Sequence, residues 1–157
     1  MKGITPFLWF NDNAEEAANL YVSLFPNSRI VGISRYGESG PGPRGSVMTV
    51  TFELDGQKFT ALNGGPNFKF TEAISFVVHC ETQEEVDRYW TTLAEGGATN
   101  VCGWLKDRFG LSWQVVPVFL MQILEEKNPR KTENVMKAVM QMTKLDIAVL
   151  KKAAEQA

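Results

Sequence analysis

Apolar residues along this chain switch between a spacing of two and a spacing of three to four, and each switch marks a change of element. Ile4 to Phe10 is a continuous β-rich apolar run and predicts a buried strand. Asn13 followed by Glu16 reads as a capping box, with an acceptor at the cap and a carboxylate three residues on. Ala17, Ala18, Tyr21, Leu24 and Phe25 then share one helical face, which Pro26-Asn27 ends. Arg29 to Tyr36 predicts a strand, and residues 37–45 a glycine–proline loop. From Ser46 to Leu54 the period is two. Val47, Thr49, Thr51 and Glu53 lie on one face, and Met48, Val50, Phe52 and Leu54 on an apolar one. Asp55-Gly56 is a hairpin signal, with Gln57 to Asn63 as the returning strand and Gly64-Gly65-Pro66 closing the segment.

The order then repeats. Glu15-Glu16-Ala17 recurs as Glu84-Glu85-Val86, and Asn13, Tyr21 and Leu24 recur as Thr82, Trp90 and Leu93. Ala73 to Cys80 predicts a strand, Thr82 with Glu85 a second capping box, and Val86, Tyr89, Trp90, Leu93 and Ala94 a buried helix face stopped by Gly96-Gly97. Short strands are expected at Thr99 to Gly103 and Trp104 to Asp107, with a further strand from Leu111 to Val116 ended by Pro117. The segment around Asp55-Gly56-Gln57 matches that around Phe109-Gly110-Leu111, so each half is β-α-β-β-β. Such repeats stack, and sites commonly form where repeats meet.

The last forty or so residues differ in kind and predict about three helices, packed on the sheet or on a partner subunit. Asn128-Pro129 is a cap followed by proline at the first helical position. Val135, Met136, Val139 and Met140 keep helical spacing, and Thr143 with Asp146 is read as the opening of the last helix. The expected organisation is a single α+β domain over 1–157, with modules 1–66 and 71–117 and a helical tail 118–157.

Composition narrows the classes. The chain has 157 residues, 44% of them hydrophobic and 22% charged, with a net charge of −2. These are values for a globular protein that can bury a core. The charge argues against a nucleic-acid partner or an anionic membrane surface. No apolar run approaches a membrane span or a signal peptide, and the two cysteines, Cys80 and Cys102, read as buried reduced thiols, so a cytoplasmic location is expected. Gly40-Pro41-Gly42-Pro43-Arg44-Gly45 formally fits G-x-G-x-x-G, but two prolines and a following strand make it a loop.

Ile4-Thr5-Pro6-Phe7-Leu8-Trp9-Phe10, Tyr21-Val22-Ser23-Leu24-Phe25-Pro26-Asn27-Ser28, Leu54-Asp55-Gly56-Gln57, Leu62-Asn63-Gly64-Gly65-Pro66 and above all the run from Cys102 to Pro117 are long, specific segments. Together they resemble the PhnB-like family of the vicinal-oxygen-chelate superfamily, which includes glyoxalase, extradiol dioxygenases and bleomycin-resistance proteins. The resemblance covers essentially the whole chain. It implies paired modules curling into a curved mixed sheet or cleft, a homodimer, and a domain often labelled demethylubiquinone methyltransferase.

Metal-dependent relatives hold a divalent ion with His and Glu from the first and last strands of each module. The repeat places those positions at about Pro6 and Ser75, and at Thr60 and Gln114. None is a histidine or carboxylate, so no metal and no cofactor is expected. His79, the only histidine, shares strand parity with Ser75 and is the candidate catalytic base; the alternative is a strand-end histidine satisfied by hydrogen bonds. Thr60, Asn63, Ser75, Trp104 and Gln114 are the candidate ligand-binding residues, whereas Trp113, Phe10 and Phe59 are more simply core. Lys106-Asp107-Arg108 reads as a solvated charged turn. The leading expectation is a protein that binds a small apolar or amphipathic molecule without the usual metal. The alternatives are an enzyme (a methyltransferase by the family label, or a lyase, isomerase or dioxygenase relative) and a dimeric interaction protein acting through its tail.

Overall fold

The computed structural model of the chain describes residues 1–156, which form two compact units, Met1–Phe70 and a second from Thr71 onward. In the first, β1 (Phe7–Phe10), α1 (Ala14–Leu24), β2 (Arg29–Arg35), β3 (Val47–Leu54) and β4 (Gln57–Asn63) build a four-stranded sheet in the order β1-β4-β3-β2. Strand β1 runs parallel to β4, and the other pairs are antiparallel. Val50, Phe52, Leu54, Phe59 and Ala61 are buried with Ala14, Ala17, Ala18, Tyr21 and Leu24 of the helix. Their rings pack, with Phe52 stacked on Phe59 at 5.4 Å between centroids and Tyr21 tilted over Phe52 at 6.3 Å. Each such large side chain contributes about 1.5–3 kcal/mol by leaving water. The hairpin signal is realised as a turn in which Asp55 (φ 48°) and Gly56 (φ 80°) both adopt the left-handed conformation.

The second unit repeats the order as β5 (Ser75–Cys80), α2 (Gln83–Ala94), β6 (Ala98–Thr99), β7 (Trp104–Lys106) and β8 (Ser112–Pro117), with strand order β5-β8-β7-β6 and β5 parallel to β8. Val78, Cys80, Leu105, Leu111, Trp113 and Val115 are buried together with Val86, Tyr89 and Leu93 of α2. Three helices follow: α3 (Val118–Glu125), α4 (Pro129–Val139) and α5 (Ile147–Glu155). They share a core of Val116, Leu120, Ile123, Val135, Val139, Leu145, Leu150 and Ala154. Val135 and Val139 thus bury the expected face of α4, while Met140 is 65% exposed.

Several local details differ from the sequence expectation. Ile4 is 85% exposed and the first strand begins at Phe7, because only residues paired with β4 are held in the sheet. Asn13 makes no capping hydrogen bond with its side chain, and α1 is capped from elsewhere. Residues 100–103 form a turn, with Cys102 and Gly103 at φ 62° and 80° and the amides of both bonded to the carbonyls of Met142 and Thr143. Asp146, not Thr143, caps the last helix by accepting the Val149 amide at 3.2 Å. The box at Thr82 forms: its hydroxyl accepts Glu85 N–H at 3.2 Å, and the Glu85 carboxylate accepts Glu81 N–H at 2.8 Å.

Candidate functional site

Register decides which side chains share a face. In the second unit Ser75 pairs with Ser112, and Ser112 with Lys106; two residues along, Val77 pairs with Gln114, and Gln114 with Trp104. Directly paired residues point to the same side of a sheet. These two rows therefore lie on the face opposite half-buried Phe76 and buried Val78, Leu105, Trp113 and Val115, the side that packs with α2. Sequence-predicted Ser75, Trp104 and Gln114 come together on this open face, and Gln114 Nε2 donates to Ser75 Oγ at 2.9 Å.

A pocket of about 150 Å³ opens on the same face, lined by Glu72, Ala98, Asn100, Trp104, Lys106 and Ser112 among others. Ser112 is 1% exposed, and its Oγ is a buried side-chain polar atom without a hydrogen-bond partner among the described residues. Lys106 Nζ pairs with the Glu72 carboxylate at the rim, and that hydrogen bond holds the Glu72 carboxyl below the usual carboxylate range. Sequence reasoning did not single out Ser112, since its burial comes from cross-strand packing.

His79 is also on the open face of β5, opposite Val116. It is exposed, and among the described residues no group hydrogen-bonds its imidazole or pairs with it. Neighbouring Cys80 is buried, and desolvation pushes its thiol up to about 12, with the Glu85 carboxylate adding to the shift. It is an inert core thiol. Asp107 corrects the solvated-turn expectation. It is 3% exposed and accepts the amides of Phe109 at 2.9 Å and Leu111 at 3.0 Å, and the Trp113 indole N–H at 2.9 Å. The turn needs this carboxylate to satisfy its own backbone.

In the first unit, Thr60 lies on the open face with Phe7 and Thr51. Asn63 does not join it. Three positions along the strand is an odd step, which sends its side chain to the helix side. There Asn63 Oδ1 accepts the Ala14 amide at 2.8 Å, and Nδ2 donates to Val47 O at 3.1 Å. A pocket of about 450 Å³ beside it is lined by Asp12, Glu15, Tyr36, Pro43 and Gly64, among others. Tyr36 donates its hydroxyl proton to Asn63 O at 2.5 Å. Its ring is wrapped by the 37–45 loop so closely that a Cβ at Gly40 or Gly42 would overlap it, which accounts for the first two glycines of the formal phosphate-loop pattern.

The register also moves one of the four positions that correspond to the metal ligands of metal-dependent relatives. Phe7 faces Thr60 as Val77 faces Gln114, so the first strands correspond with an offset of seventy, while the helices, starting at Ala14 and Gln83, keep sixty-nine. Ser75 thus corresponds to Thr5 rather than Pro6. Neither Phe7 nor Val77 carries a donor, and Thr60 and Gln114 offer neutral oxygens, a set that does not fit a divalent transition metal. Among the described residues no three His, Cys, Asp or Glu side chains come together. No helix among them is long and apolar enough to cross a membrane.

The sequence from residue 2 to 116 matches the model of the 3-demethylubiquinone-9 3-methyltransferase family. Among solved structures, a PhnB protein from Bacillus cereus is 45% identical, with a TM-score of 0.68 over 74% of this chain and 99% of that one. Protein PA1353 from Pseudomonas aeruginosa is 22% identical, with a TM-score of 0.62 over 74% of this chain and 98% of its own. The fosfomycin resistance protein FosX from Mesorhizobium loti is 13% identical, with a TM-score of 0.53 over 73% of this chain and 90% of its own. These last two are similar in fold alone. No curated protein sequence matches the chain.

Proposed function

This chain belongs to the 3-demethylubiquinone-9 3-methyltransferase (PhnB-like) family and has the glyoxalase-like α+β fold, and from that premise we propose that it binds a small molecule on the open face of β5, β7 and β8 without the divalent ion of its metal-dependent relatives. The observation that carries this reading is the Gln114–Ser75 hydrogen bond beside Trp104. It orients the Gln114 amide and leaves Gln114 Oε1 as an acceptor beside an aromatic surface, the combination of a few placed polar groups and apolar wall that small-molecule sites use. Binding is favoured over turnover because the groups around Gln114, Ser75 and Ser112, are neutral, the charged Lys106 of this face is paired with Glu72, and His79 has no orienting partner among the described residues.

Thermal-shift screening of the full chain against small amphipathic compounds tests the reading. The expected result is a stabilising compound whose effect is lost in Gln114→Ala and Trp104→Ala. A screen without hits, or hits indifferent to both substitutions, overturns it. Plasma mass spectrometry after exposure to manganese, iron, nickel, zinc and magnesium tests the metal-free part, which one bound ion per chain would overturn. The functional form is a homodimer in this reading, and a monomer mass in sedimentation would count against that element.

A further inference from the structure

A buried hydroxyl without a partner loses its hydration and gains nothing in return, and native proteins leave few such groups. Among the described residues Ser112 Oγ is such a group, and Ser112 lines the pocket of about 150 Å³ on the open face of the second unit. The two charged residues of that pocket, Glu72 and Lys106, are paired with each other, and their side chains remain 58% and 42% exposed. Both therefore keep room to turn toward a bound group. An anion entering alone would gain Lys106 and be repelled by Glu72; a cation entering alone would meet the reverse. A group that carries both charges a few atoms apart satisfies the two together.

We propose that this pocket receives the head group of an amino-acid-like zwitterion. The carboxylate lies toward Lys106 and accepts the Ser112 hydroxyl proton, the ammonium lies toward Glu72, and any side chain extends along Trp104. The inference rests on the reading of this face as a ligand surface and adds the chemical class of the ligand.

The test is a titration of the nitrogen-15-labelled full chain with glycine, the bare head group, and with acetate and methylammonium as its two halves. Glycine is expected to shift the amide signals of Lys106 and Ser112 saturably, and neither half-probe to do so at equal concentration. Ser112→Ala is expected to weaken glycine about tenfold while melting no lower than the parent, since it removes a group that had no partner. Lys106→Met is expected to abolish the shifts. Acetate saturating as glycine does would overturn the zwitterion in favour of a simple anion. Absence of any glycine shift would overturn the head-group assignment, leaving Ser112 to ordered water. If glycine fails while screening hits still depend on Gln114 and Trp104, the assignment falls and the binding face stands; if those hits are also absent, both fall.

Discussion

Asn63 Oδ1 accepts the backbone N–H of Ala14 at 2.8 Å, so the last residue of β4 caps the first helix across forty-nine positions of chain. Asn63 Nδ2 donates to Val47 O at 3.1 Å, and Tyr36 donates to the Asn63 backbone carbonyl at 2.5 Å. One side chain thereby ties β4, α1 and the start of β3. Asn63→Ala is expected to destabilise the protein by about 1–2 kcal/mol, the worth of a helix cap plus a lost side-chain donor. Asn13→Ala is expected to cost less than about 0.5 kcal/mol, because Asn13 makes no capping bond. Urea unfolding of the two variants checks the difference; equal losses would contradict the long-range cap.

Asp107 holds the β7–β8 connection from inside. Replacing it with Ala leaves two amides and the Trp113 indole N–H without this acceptor, and the expected cost is about 3 kcal/mol. Trp113→Phe removes one of the three donors, and its hydrogen-bond share of the loss is expected to be about 1 kcal/mol. A double-mutant cycle in which the two effects add without coupling would show that the Asp107–Trp113 bond has no energetic role.

Gln83 joins α2 to the tail. Its Nε2 donates to Leu145 O at 3.1 Å, and its Oε1 accepts the Ile147 amide at 2.8 Å, the first helical position of α5. The nearby Asp87 carboxylate is held below its ordinary range, chiefly by Lys144 and then by Gln83. In Gln83→Ala, amide hydrogen exchange over residues 147–155 is expected to accelerate at least about fivefold, equivalent to about 1 kcal/mol of local stability, with α1 unchanged. Uniform acceleration across both units would mean global rather than local loosening.

Cys80 provides a pH dependence. Burial, with a smaller contribution from Glu85, raises its thiol from 9.0 to about 12. Above pH 9 the unfolded chain releases this proton while the folded chain retains it, so the native state binds more protons and stability falls as pH rises from 9 toward 12. Below pH 9 the thiol is protonated in both states and contributes no slope. Cys80→Ala is expected to flatten the alkaline part of the melting-temperature profile. Iodoacetamide at pH 8 is expected to modify Cys80 slowly in the folded protein and readily after denaturation. Rapid native-state modification at Cys80 would refute the burial argument.

Much of this fold is local information. Alternation from Val47 to Leu54, two left-handed residues at Asp55-Gly56 and apolar stripes at Ala17, Ala18 and Tyr21 each specify an element without reference to distant chain. The same holds for the doubled β-α-β-β-β order and the three-helix tail, and the family could be named from its motifs. Tertiary packing alone decided the rest. The cap of α1 passed from Asn13 to Asn63 because the acceptor that reaches an amide depends on where β4 ends, not on sequence spacing. Phe7, not Pro6, stands opposite Thr60 because the first strand and its helix are separated by one residue more in the first module than in the second, and a single step inverts a strand's face. Asp107 and Ser112 look like surface residues in the sequence and are buried by cross-strand neighbours. A polar residue's role is set by what surrounds it, and those surroundings exist only once β5, β7 and β8 have paired.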